Sequence, residues 1–154
     1  MLKKIKEHIS NLGNEPSEKA VHEKEETEII NNACAALLIE TALADKVFNE
    51  EELASMKQTL NKVYKVDEKD IEELINESKR KVSESTSLYE YTRLINDLCD
   101  YEDKIRLISN LWSIAFADQH LDKYEEYLIR KISDLLHVSH KDFIQQKLLV
   151  KEAL

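Results

Sequence analysis

Two stretches of this chain carry carboxylates at the same spacing. Asp45, Asn49 and Glu52 lie in LADKVFNEEE (43–52), and Asp118, Asp122 and Glu125 lie in FADQHLDKYEE (116–126), at a constant offset of 73 residues. Each leading Asp follows an apolar helical run, at the negative pole of the helix dipole, which disfavours it by a few tenths to about 1 kcal/mol. One such Asp can close a helix end as an Asx-turn. Its recurrence in register with a downstream Glu points to a shared task. The remaining residues have a simpler use: Asn49 with Glu52 and Asp122 with Glu125 are good helix starts, a capping side chain with an acid in the first turn.

If the two apolar helices cross or run antiparallel, the acidic turns can meet. Asp45, Glu52, Asp118 and Glu125 would then place four carboxylates in a small volume. Two like charges ~4 Å apart repel by about 4 kcal/mol at an effective dielectric near 20. Such a cluster needs a cation, raised pKa values or basic neighbours. All-oxygen donors select a hard divalent ion, Ca²⁺, Mg²⁺ or Mn²⁺, over structural zinc, with Asn49 and Asp122 as secondary ligands. The spacing is shorter than an EF-hand loop and lacks its glycine, so that assignment is rejected. His120 lies in the second turn only; Val47 takes its place in the first, so it is surface decoration and no part of the duplicated feature.

The elements that must carry these turns are helices. IINNACAALLIETALA and IRLISNLWSIAFA are apolar nearly all round and read as two buried central helices, Trp112 and Phe116 packing in the second. Amphipathic helices follow each, carried by Leu53, Met56, Leu60 and Val63, then by Ile71, Leu74 and Ile75. Leu88, Tyr91, Leu94, Ile95 and Leu98 mark another. Tyr127, Leu128, Ile132, Leu135 and Leu136 precede the last, with Phe143, Ile144 and Leu148. VDEKDI (66–71) matches VSHKDF (138–143) at an offset of 72. The unit of helix, acidic turn, helix, short turn and helix is therefore present twice. Helix starts are expected at Asp67, Ser87, Asp100 and Ser139, each with an acid three residues on. SESTS (83–87) is the clearest break, and VYKV sits at a helix-to-helix connection. His137 and His140 flank a turn, in solvating or capping roles.

Composition agrees. One Gly and one Pro in 154 residues leave few turns with special backbone angles and exclude a sandwich or barrel. The expected fold is all-α, a bundle of about seven helices with an internal duplication. Residues 1–27 form a basic amphipathic segment (Leu2, Ile5, Ile9 and Leu12, with lysines between) and a charged linker or helix lead-in. Residues 28–154 form the helical domain. The first segment can touch a membrane surface, but a frayed helix resting on the domain is the favoured reading. The formal charge of −9 excludes a nucleic-acid partner and favours cations or a basic protein surface. Cys34 and Cys99 form no C-x-x-C pair, and MLKKIKEHISNL lacks the apolar core of a secretory signal. Both suggest reduced thiols in the cytoplasm.

The sequence WSIAFADQHLDKYEEYLIRKISDLLHVSHKDF (112–143) resembles the second half of a TerB-like domain, and ETALADKVFNEEELASMKQTL (40–60) resembles the matching earlier motif. This is the all-helical family of tellurite-resistance TerB proteins, related to the N-terminal region of the DjlA co-chaperone. The likeness spans roughly residues 28–150. It implies a helical bundle with duplicated metal-chelating acidic motifs and a stress- or tellurite-linked role, often in membrane-associated assemblies. By position it names Asp45, Glu52, Asp118 and Glu125 as ligands, with Asn49 and Asp122 secondary. Where the family often has Gly after the motif Asp, this chain has Lys46 and Gln119, so its turns are shaped differently if that position is left-handed.

No G-x-S-x-G, H-E-x-x-H or P-loop is present. Four carboxylates can serve metal-assisted hydrolysis, but no Gly-rich loop or electrophilic arginine set accompanies them, so the chain is read as a non-enzyme. Three readings stand: a cation-binding helical module, an interaction scaffold whose acidic turns cap helices or grip a basic partner, and, least favoured, a metal-dependent hydrolase.

Overall fold

The computed structural model describes residues 18–43, 50–80, 86–117 and 121–154. Among the described residues there are seven helices and no strand: α1 (Glu18–Ala42), α2 (Glu50–Lys62), α3 (Glu68–Arg80), α4 (Thr86–Leu98), α5 (Tyr101–Ala115), α6 (Lys123–Leu135) and α7 (His140–Glu152). The all-α expectation holds.

The two apolar runs are the core. In α1, Ile30, Ala33, Cys34 and every residue from Ala35 to Ile39 are buried; in α5, Leu107, Ile108, Leu111, Trp112, Ile114 and Ala115 are. A helix apolar on all sides must be covered on all sides. Accordingly α1 packs against α2, α3, α4, α5 and α6, and α5 against α1, α2, α6 and α7.

The duplication extends to element boundaries. Helices α1 and α5 end at Ala42 and Ala115, and α2 and α6 are 13 residues each, all 73 apart; α3 and α7 are also 13 residues each, 72 apart. The packing is reciprocal too. Exchanging α1 with α5, α2 with α6 and α3 with α7 turns α1–α2 into α5–α6, α1–α3 into α5–α7, α2–α5 into α6–α1 and α2–α3 into α6–α7, all of which are observed. Helix α4 stands outside this scheme. It joins the halves, lies along α1 and α6, and its Asn96 Nδ2 donates to the Leu135 carbonyl at the end of α6, at 2.8 Å.

The one-residue slippage is located at the end of α2. The Val66 N–H donates to the Leu60 carbonyl, six residues back, whereas the Val138 N–H donates to the Ser133 carbonyl, five back. Val63 occupies the lengthened turn and is 49% exposed, off the apolar face it was expected to join. In the second copy the bonds from Val138 to Ser133 and from His137 to Asp134 make a Schellman closure with His137 in the left-handed position.

Several boundaries differ from expectation. Helix α1 begins at Glu18, ahead of the apolar period that sets in near Glu28, so of the two readings of this stretch the helix lead-in is the one observed from Glu18 onward. Its early turns are mostly exposed, and charged side chains there are good helix formers, which explains why apolar periodicity could not mark the start. Residues 1–17, the basic amphipathic stretch, lie outside the described residues. Ser87 falls within the first turn of α4 rather than before it. Tyr127 and Leu148, read as core-facing, are exposed.

Candidate functional site

Three of the six candidate ligands, Asp45, Asn49 and Asp118, lie outside the described residues, and so does the side chain of Glu52, which belongs to the first turn of α2. Asp122 and Glu125 are described. Asp122 is the N-cap of α6: its extended backbone (φ −79°, ψ 139°) aims Oδ1 at the Tyr124 N–H (2.7 Å) and the Glu125 N–H (3.4 Å). This is the capping role expected of it. Glu125 has 0% of its surface exposed, in the first turn of α6. A carboxylate is among the groups least often fully buried, because its charge must be compensated there. The helix N-terminus supplies part of that compensation. Among the described residues no group of three or more His, Cys, Asp or Glu side chains is arranged to hold a metal ion.

Both turns leave from the ends of the two central helices, and α2 and α6, which follow them, each pack on the other copy's central helix. Next to Glu125, Glu126 accepts from Lys147 Nζ at 2.8 Å, and that ammonium lies 5.4 Å from the centroid of the Trp112 ring. Trp112 is fully buried, stacks with Phe116 (5.7 Å) and meets the Phe143 ring at a tilt (5.1 Å, 41°), and its Nε1 donates to the Phe143 carbonyl at 3.3 Å. Trp112 and Phe116 are therefore core residues, as read from sequence. The Glu126–Lys147–Trp112 contact was not legible, since it joins α5, α6 and α7 across long sequence separations.

The other N-caps that hold are Asp100, accepting from the Asp103 N–H at 2.9 Å, and Ser139, whose Oγ accepts from the Asp142 N–H at 3.2 Å. The first contact chiefly holds the Asp100 carboxyl down at about 2. Tyr101 supports the second cap from outside. Its hydroxyl accepts from the Ser139 N–H (3.1 Å) and donates to Asp142 Oδ2, which lowers the pKa of Asp142. Cys34 and Cys99 are not joined in a disulfide, and both line one cavity of about 70 Å³ between α1, α4 and α5. Burial pushes the pKa of Cys34 well up and that of Cys99 to about 12, which makes both neutral at pH 7.

An all-α bundle built from two copies of a helix, acidic turn and helix-pair unit is the class this geometry defines. The family model for tellurite resistance protein TerB matches residues 31–148, and the chain belongs to that family. No curated protein and no solved structure matches it significantly. No described helix is long and apolar enough to cross a membrane.

Proposed function

We propose that this TerB-family chain is a non-catalytic helical module that binds a divalent cation through its two acidic turns, in a stress- or tellurite-linked role. The ligands are Asp45, Glu52, Asp118 and Glu125, with Asn49 and Asp122 secondary, and the ion is Ca²⁺, Mg²⁺ or Mn²⁺. The observation that carries this reading is the complete burial of Glu125 at an acidic turn whose counterpart leaves the other central helix at the equivalent residue. A carboxylate withdrawn from water beside further carboxylates is a favourable setting for a hard cation.

Calorimetric titration of chelator-stripped protein with each of the three ions tests it. Heat of binding is expected, with stabilisation of about 2.7 kcal/mol at a hundredfold excess over Kd. Asp45→Ala with Asp118→Ala should abolish both. Absence of heat and of any rise in Tm for all three ions removes the proposal.

A second reading is favoured by the Asp122 contacts: the turns cap helices, and their charge grips a basic protein partner. Under it, removing Asp45 and Asp118 is neutral or slightly stabilising, because each takes an acid away from a helix C-terminus.

A further inference from the structure

We propose that the solvent face of α6 docks on the solvent face of α3 in a second copy of this chain. The inference stands apart from the cation reading and uses none of its ligands as contacts.

The exposed residues of α6 are Lys123, Tyr124, Tyr127, Arg130, Lys131 and Asp134, and they form one helical stripe opposite the buried Ile129, Ile132 and Ser133. In a chain of net charge −9 this stripe carries three cations against one anion. Two tyrosines, 68% and 66% exposed, stand in its middle. Arg130 is held in place, its guanidinium carbon 5.8 Å from the centroid of the Phe143 ring. Tyr and Arg on an exposed face are the residue types enriched where proteins meet.

The duplication supplies the control. At the equivalent positions α2 carries Glu50, Glu51, Ala54, Lys57, Gln58 and Asn61, acidic at its start and without an aromatic residue. A face that only needed solvation would be served by either set, so the tyrosines and lysines of α6 require another reason. The complementary change appears in the other copy. Asp70, Glu73 and Glu77 form an exposed stripe on α3 at spacings of three and four residues, whereas α7 has Asp142, Gln145 and Leu149 there. Cationic and aromatic groups on α6 recur at spacings of three and four as well, Tyr124, Tyr127 and Lys131 along one line. One chain thus holds both members of a charge-complementary helix pair.

The overall negative charge opposes association, and this gives the proposal a distinctive salt dependence. At ~0.01 M salt the screening length is about 30 Å and whole-molecule repulsion dominates; near ~0.15 M it is about 8 Å, which suppresses that repulsion while contacts of a few ångströms persist; at ~1 M it is about 3 Å and the contacts weaken too. Association should therefore be strongest at intermediate salt.

Sedimentation velocity of the full chain, up to roughly 0.5 mM protein, tests this, since a contact between single helices falls in the small, weak class of interfaces. The mean mass should rise above the monomer's 18.0 kDa with concentration, most at intermediate salt. Lys123→Glu with Lys131→Glu, and separately Glu73→Lys with Glu77→Lys, should each weaken association about tenfold or more, while an equimolar mixture of the two variants recovers to within about threefold. Unchanged helix content and Tm in both variants exclude misfolding. A monomer at every concentration and salt, association that survives both reversals, or a mixture that fails to recover each overturns the proposal.

Discussion

Lys65 and His137 stand 72 residues apart and share one unusual backbone state, with φ of 56° and 59°. Each occupies the left-handed position of the turn between the second and third helices of its copy, directly before a buried valine, Val66 or Val138. A residue with a Cβ is disfavoured there by roughly 1–2 kcal/mol, and glycine is not. Glycine also loosens the unfolded chain by about 0.4–1 kcal/mol. The balance predicts that Lys65→Gly and His137→Gly each stabilise the protein modestly, by about 0.5 kcal/mol, while a β-branched His137→Val destabilises it by ~1 kcal/mol or more. Urea midpoints at constant m-value decide the matter: glycine variants that unfold earlier than the parent would contradict the strain argument.

Phe143 is buried against Trp112, and its carbonyl takes the indole N–H. Phe143→Ala is expected to lose about 3–5 kcal/mol. Trp112→Phe keeps an apolar ring but forfeits the hydrogen bond and leaves a void, with an expected loss of about 1–3 kcal/mol. Ile71, the counterpart of Phe143 in the first copy, is also buried; Ile71→Val should lose only about 0.5–1.5 kcal/mol. Equilibrium denaturation of the three variants gives the order directly.

Acid sensitivity follows from the caps. Asp100 titrates near 3.8 when free of structure and at about 2 in the fold, and Asp142 is likewise lowered. A carboxylate depressed on folding contributes stability that is fully present above its unfolded pKa and is lost as pH falls through its folded pKa. The stability curve should therefore drop between about pH 4 and 2. Asp100→Asn should flatten part of that drop. Tyr101→Phe, which removes the hydroxyl from Asp142, should move its pKa upward, as read by NMR titration of the Asp142 side chain.

The thiols should be slow. Nucleophilic attack needs thiolate, and burial raises the pKa of both Cys34 and Cys99. At pH 7.5 in native buffer, alkylation by iodoacetamide should lag behind that of the unfolded protein by orders of magnitude. Cys99, half-buried, should react before Cys34, which is 5% exposed. Mass spectrometry over a time course separates the two, and prompt modification of Cys34 would count against this account.

Much of the fold was legible because its signals are local. Continuous apolar runs located α1 and α5, carboxylate and serine caps located the starts of α5, α6 and α7, and the offset of 73 exposed the duplication before any packing was known. Reading failed where only tertiary context decides. Tyr127 fits a helical apolar pattern as well as Leu128 does, but which side of α6 faces the core depends on where α5 lies. Residues 18–27 are helical through propensity without apolar periodicity, so their start was invisible. At the acidic turns, composition named Asp122 and Glu125, and the structure distinguishes them: one capping at the surface of the turn, the other shut inside. No sequence pattern separates those fates three residues apart.

The reciprocal packing carries one more consequence. Because α2 leans on α5 and α6 leans on α1, neither repeat owns a finished interior. A polypeptide holding a single repeat would expose the flank of its own greasy rod to water, and only a twin could shield it. Severed near residues 81–85, the two pieces should thus be poor folders apart yet competent partners when mixed, with α4 acting as the clasp that makes the marriage permanent.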